Sequence, residues 1–308
     1  MTSHTAKLTP EQAEALRGIL AKRDFESAEV PHAVFSYKRP KLAITCYKSG
    51  KLLIQGKGTQ EFVEFTLEPE VLGQAAFADA LDAQPEQLEP RLGVDESGKG
   101  DFFGPLVVAG VYVNEPVARA LDGLGVKDSK AIASDKKIAA LAKGIRDTPG
   151  CVYSVVPIGN ASYNRLHQKM RNVNKILAWG HARVIENLLG QRDRMNPEPL
   201  RAISDQFARS KATIQSALME EGRQLKLVQM HKAESDIAVA AASILARDLF
   251  VQRLSALGRE FDLELPKGAS SKVDAAGAAF LKKHGIDKLG QAAKLHFRTT
   301  QKIQASLL

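Results

Sequence analysis

The chain has 308 residues, a formal net charge of +8, 44% hydrophobic residues and 25% charged ones. That composition excludes a disordered or fibrous chain and suits one large globular domain or two ordinary ones. No apolar run approaches a bilayer span, and the segment 1–7 lacks the apolar core of a signal peptide, so a cytoplasmic protein with no membrane partner is expected.

Thr9-Pro10-Glu11-Gln12 reads as a helix start, with Thr9 as cap, Pro10 in the first turn and Gln12 closing a capping box. Ala13, Leu16 and Leu20 carry an apolar stripe to about Lys22. Short β-like runs follow at 33–37, 42–47 and 52–55, the last two separated by a Ser49-Gly50 turn, and a further strand is predicted over 62–67. Residues 71–81 read as helix. The segment 81–90, with Pro85 and Pro90, is the expected domain boundary, giving domains at 1–85 and 86–308. Between 31 and 58 stand Lys38, Arg39, Lys41, Lys48, Lys51 and Lys57 with no Asp or Glu, and Phe35, Tyr37 and Tyr47 are interleaved. Such a sheet face could track a phosphate backbone. The excess of positive charge over the whole chain points the same way, to nucleic acid. Cys46 and Cys151 sit in apolar, strand-like contexts and read as free buried thiols.

In the second domain, strands are expected at 91–94, 106–113, 152–156, 201–204 and 225–230. Helices are expected at 135–146 (Ser134 as cap), 173–190 and 236–254. Asp95 and Glu96 adjoin the first strand, Asp205 ends the fourth, and Glu234 lies between the fifth strand and an alanine-rich helix. Neighbouring strand residues point to opposite faces. Asp95 and Glu96 can therefore share a site only if the strand ends near them, and Gly98 and Gly100 would supply the bend. If these strand ends converge, four carboxylates meet and require cations. Oxygen donors alone suit Mg²⁺ or Mn²⁺ rather than zinc. Two such ions about 4 Å apart can clamp the attacking and leaving oxygens of a phosphoryl displacement. Gly93-x-x-x-x-Gly98-Lys99-Gly100 nearly fits a P-loop, but Gly100 replaces the metal-binding hydroxyl, and Asp95 and Glu96 would lie inside the phosphate cradle. His181 falls on the stripe Leu177, His181, Val184, Leu188 and reads as a partly buried structural histidine; Trp179 reads as packing.

Asp95-Glu96-Ser97-Gly98-Lys99-Gly100-Asp101-Phe102-Phe103-Gly104-Pro105-Leu106 resembles the signature of the type 2 ribonucleases H, and within them bacterial ribonuclease HIII. The resemblance continues through Lys127-Asp128-Ser129-Lys130, Asn172 to Ala182, Ser204-Asp205-x-Phe207 and His231-Lys232-Ala233-Glu234-Ser235. It closes with Val239 to Arg247, Leu265 to Ser270 and Lys294-x-His296-Phe297, covering 91–298. It implies an α/β ribonuclease-H-like catalytic domain, a mixed sheet flanked by helices. A small α+β domain similar to half of the TATA-binding protein is implied before it. It implies hydrolysis of the RNA strand of RNA–DNA hybrids with two Mg²⁺ or Mn²⁺ ions, leaving 5′-phosphate and 3′-hydroxyl ends. By position, Asp95, Glu96, Asp205 and Glu234 match the family's metal-binding acids, with Asp236 a competitor for the fourth place. Gly98, Lys99 and Gly100 match the turn that contacts sugar and scissile phosphate, and Lys127, Ser129 and Lys130 are expected to touch the backbone of the DNA strand. Lys38, Arg39 and Lys41 are expected to bind substrate from the first domain. No protein partner is required and a monomer is expected. Two other readings stand beside this one: excision at single embedded ribonucleotides, as in ribonuclease HII, and a non-catalytic nucleic-acid-binding protein.

Overall fold

The computed structural model describes residues 3–21, 23, 25–63, 66, 67, 71, 88–205, 217, 218, 221–230 and 233–305. The chain divides into two compact units, 1–83 and 84–308.

The first unit is an antiparallel sheet with a helix. Strands β1 (Ser3–Lys7), β2 (Glu26–Ser27), β3 (Ala33–Arg39), β4 (Leu42–Tyr47) and β5 (Lys51–Gln55) lie in the order β1-β5-β4-β3-β2. Helix α1 (Pro10–Ala21) opens with the expected capping box: Gln12 N–H donates to Thr9 Oγ1 (3.2 Å) and Thr9 N–H to Gln12 Oε1 (3.0 Å). Its Leu16 and Leu20 pack on Phe35, Ile44, Leu52 and Ile54. Among the described residues of 62–67, the predicted strand is replaced by helix. Phe62 ends the short helix α2 (Thr59–Phe62), and Val63, Thr66, Leu67 and Val71 are helical and buried. The apolar positions 62, 63, 67 and 71 recur at helical spacing, which a six-residue window hides. The helix predicted over 71–81 lies outside the described residues beyond Val71.

The second unit holds strands β6 (Arg91–Ser97), β7 (Leu106–Val113), β8 (Val152–Ile158), β9 (Arg201–Asp205) and β10 (Lys226–Met230). The sheet order is β10-β9-β6-β7-β8, with β6, β9 and β10 parallel and β6, β7 and β8 antiparallel. The helices are α3 (Glu115–Gly123), α4 (Asp135–Asp147), α5 (Asn160–Met170), α6 (Val173–Leu189), α7 (Ile237–Glu260), α8 (Ser271–His284), α9 (Ile286–Ala292) and α10 (Arg298–Ala305). Helices α3, α5 and α8–α10 go beyond the elements that the sequence patterns predict. Ser134 caps α4 as expected, accepting from Lys137 N–H. Among the described residues no helix is long and apolar enough to cross a membrane. Cys46 and Cys151 are buried free thiols.

Helices α6 and α7 sandwich the sheet, and glycines set their depth. Leu92 and Val94 of β6 face the α6 side with Val108 and Tyr112, while Val107, Ala109 and Val111 face α7. A Cβ on Gly93 would collide with the backbone between Ala238 and Val239 at the start of α7, and one on Gly110 with Val184 of α6. Neither neighbour of Gly93 is a movable side-chain tip. Gly93→Ala is therefore expected to cost about 3 kcal/mol, read as a lowered midpoint in denaturant. A midpoint within error of wild type would show that α7 can lift off the strand.

Candidate active site

Three carboxylates stand at one edge of the sheet, where the parallel ladders of β6, β9 and β10 stop. The β6–β9 ladder pairs Leu92 with Ala202, Gly93 with Ile203 and Val94 with Ser204, and stops. Asp95 and Asp205 are the next residue on each strand. The β9–β10 ladder closes at Asp205 and Met230, and Glu234 follows in a 3₁₀ turn, Ala233–Ser235. Carboxyl ends of parallel strands are where α/β sheets open to ligands.

The expected bend at the first pair of acids is displaced. Strand β6 runs on through Ser97, with Asp95 opposite Ala109 and Glu96 opposite Val108. Pairing to β7 keeps the backbone extended past both acids, so Asp95 faces the α7 side and Glu96 the α6 side. The backbone links them instead: Glu96 N–H donates to Asp95 Oδ1 at 2.8 Å. The left-handed turn comes after them, at Gly98 (φ +91°).

Charge in this edge is unbalanced. Burial first, and the neighbouring Glu96 charge second, push Asp95 well above the ordinary carboxyl range. Burial would also raise Glu96, but a hydrogen bond from His181 and the positive charges nearby, including Lys99 and Lys130, hold it below its ordinary value. Lys130 is exposed; the partial burial it does have would lower it, yet Asp95, Asp128, Glu234 and Asp205 together raise it. One ammonium thus feels all three strand-end acids. Among the described residues no three His, Cys, Asp or Glu side chains are close enough together to hold a metal ion. The donor set is nonetheless all oxygen, and burial together with the neighbouring Glu96 charge disfavours the ionised form of Asp95. Both features fit a hard divalent cation.

The glycine turn has two unlike glycines. Gly98 is buried, and a Cβ there would strike the Pro105 carbonyl and the Phe250 ring, so its lack of side chain serves packing. Gly100 is exposed with open space around it. Lys99 Nζ lies 3.6 Å from Glu96 Oε1. The loop leads into an antiparallel strand and not a helix, which removes the P-loop reading. Asp101 accepts from Gly268 N–H (2.6 Å), tying the 267–270 loop to this turn.

Other predicted residues fall as follows. Ser129 is buried, its N–H donating to Ser243 Oγ (3.0 Å) and its carbonyl accepting from Arg247, so it anchors the turn while Lys130 faces solvent. Asp236 is committed elsewhere. It caps α7, accepting from Ala238 N–H at 2.9 Å, and pairs with the fully buried Arg91 at 2.8 Å. In the first unit, Lys38, Arg39 and Lys41 cluster at the β3–β4 turn. Phe35 and Tyr37 pair with Cys46 and Ile44 on the helix-covered face, so they are not stacking platforms beside the lysines. Sequence reasoning missed Arg91, whose signal is a lone charge heading an apolar strand. It also discounted His181, which is fully buried with Nε2 3.0 Å from Glu96 Oε2.

A family model described as Ribonuclease HII matches residues 92–300, and one described as a domain of unknown function (DUF3378) matches 4–73. The chain is 44% identical to a ribonuclease HIII of Chlamydia pneumoniae over 96% of both chains. It is 41% identical to one of Chlamydia trachomatis serovar L2, over 99% of this chain and 98% of that one. Among solved structures it is similar to Bst-RNase HIII in complex with Mn²⁺ (TM-score 0.66, 33% identity, 99% of both chains). It is also similar to Aquifex aeolicus RNase H3 (TM-score 0.55, 26% identity, 95% of this chain and 99% of that one).

Proposed function

The chain belongs to the ribonuclease HIII family and is an endonuclease for the RNA strand of RNA–DNA hybrids, and from that premise we propose that Asp95, Glu96, Asp205 and Glu234 hold two divalent cations, Mg²⁺ or Mn²⁺, for the cut. The observation that supports this is that the β6–β9 ladder stops at Val94 and Ser204 and the β9–β10 ladder at Asp205 and Met230, with Asp95 and Glu234 following just beyond. When bound, the cations supply an activated water and neutralise charge at the leaving 3′-oxygen. The protein's own groups do the rest. Asp95, paired to β7 opposite Ala109 and one residue past the end of the β6–β9 ladder, is the first acid of the set. Lys130 offsets the acids' repulsion before substrate arrives. The exposed Gly100 and its open surroundings leave backbone room for the sugar edge, where the 2′-hydroxyl distinguishes RNA from DNA. Lys99 lies beside Glu96 and meets the phosphate. Residues 1–85 act as the substrate-binding domain through Lys38, Arg39 and Lys41, ahead of the catalytic domain at 86–308.

A cleavage map tests the reading. A uniform RNA strand on DNA should be cut in Mg²⁺ or Mn²⁺, leaving 5′-phosphate and 3′-hydroxyl ends, and EDTA should stop it. A duplex with one embedded ribonucleotide should react at least roughly tenfold more slowly; equal rates would assign the ribonuclease HII type of excision instead. In the same assay the triple variant Lys38→Gln, Arg39→Gln, Lys41→Gln should raise KM, leave kcat alone and flatten the salt dependence by about one unit per lost phosphate contact. An unchanged KM would remove these three residues from the substrate path.

A further inference from the structure

Helix α6 is seated unusually deep over one point of the sheet. A Cβ on Gly180 would lie 2.7 Å from Val108 Cγ2, and Val108 is the residue paired with Glu96. Gly110 gives the same close approach to Val184 one turn on. Between these two contacts α6 carries His181, fully buried, with its Nε2 3.0 Å from Glu96 Oε2. The other carboxylate oxygen, Oε1, lies 3.6 Å from Nζ of Lys99, whose side chain is 41% exposed. The two oxygens of Glu96 therefore have different partners, Oε2 a fully buried imidazole and Oε1 a partly exposed ammonium.

We propose that His181 is a positioning residue for Glu96: its Nε2–H holds Oε2 inside the protein and leaves Oε1 as the oxygen offered to a cation. This rests on reading Glu96 as a cation ligand. Strand geometry creates the need. Glu96 points to the α6 face while Asp95 points to the other, so nothing on β6 itself fixes the Glu96 side chain toward the shared edge. A buried donor on the helix behind it does. Partners that orient a ligand from behind are typically worth about 10–100-fold in metal affinity.

The test is the Mn²⁺ affinity of the substrate-free full-length protein, measured by calorimetry, with metal-free melting as a check of folding. Glutamine carries its amide nitrogen about as far from the backbone as Nε2, and asparagine stops short at the Nδ1 position. The two differ in reach more than in chemistry. His181→Asn should lose at least roughly tenfold in Mn²⁺ affinity, and His181→Gln should stay within about threefold of wild type. Equal affinity in the Asn and Gln variants, whether both keep it or both lose it, overturns the proposal. If His181→Asn does not fold, the apolar, helix-forming His181→Leu takes its place in the same comparison. Glu96→Gln separates the two levels. If it leaves Mn²⁺ affinity unchanged, the ligand assignment itself fails. If it weakens binding while His181→Asn does not, only the role of His181 fails.

Discussion

Asp95→Asn is expected to abolish hybrid cleavage while leaving the metal-free protein at least as stable as wild type. The loss in kcat should reach roughly 10³-fold, about 4 kcal/mol of transition-state stabilisation. The amide keeps the shape and can still accept from Glu96 N–H, but it removes a negative charge that the fold already disfavours. Burial and the Glu96 charge raise Asp95 from its ordinary 3.8. Between 3.8 and that raised value the native state binds more protons than the unfolded chain. Without divalent metal, wild-type stability should therefore fall as pH rises through this window, and above it the penalty stays. In Asp95→Asn that fall should be smaller. Single-turnover cleavage and melting curves across pH read both halves; a variant with wild-type turnover in Mg²⁺ would remove Asp95 from the chemistry.

Breaking the Arg91–Asp236 pair should produce the largest loss of stability outside the hydrophobic core. Arg91 is 0% exposed and the Asp236 side chain 8%. Arg91→Met leaves a buried aspartate without its counterion, an expected cost of about 3–5 kcal/mol. The double variant Arg91→Met, Asp236→Asn should recover a large part of that, because no charge is left unpaired and asparagine still caps α7. Denaturant titration of the three proteins measures the coupling; simple additivity would mean that the two groups act independently. Asp236→Asn also separates the two candidates for the fourth acid. Its Mn²⁺ affinity in folded protein should match wild type, whereas that of Glu234→Gln should fall.

The acids, the glycine turn and most strands of the second domain could be read from residue types and spacing, because strand ends there are marked by charge after an apolar run. Four features could not. The continuation of β6 through Ser97 is imposed by β7, a long-range partner that no local window contains. The helical state of Phe62, Val63, Leu67 and Val71 goes with all four being buried, a pattern that shows only when positions nine residues apart are compared. His181 looked like one more member of an apolar stripe because helical periodicity gives the direction of a side chain but not what it meets. Arg91 was hidden for the same reason: its counterion lies 145 residues away in sequence.

The β6–β9 ladder ends one residue short of Asp95 and Asp205, and this has a dynamic consequence. Amides at 92–94 lie under α7 on one face and α6 on the other, in the class that exchanges with solvent only when the whole domain opens. The carboxylates begin at the very next position. Loosening the strand that carries Asp95 would dismantle the domain's centre, so hydrogen exchange at the approach to the site is expected to share one free energy with global unfolding.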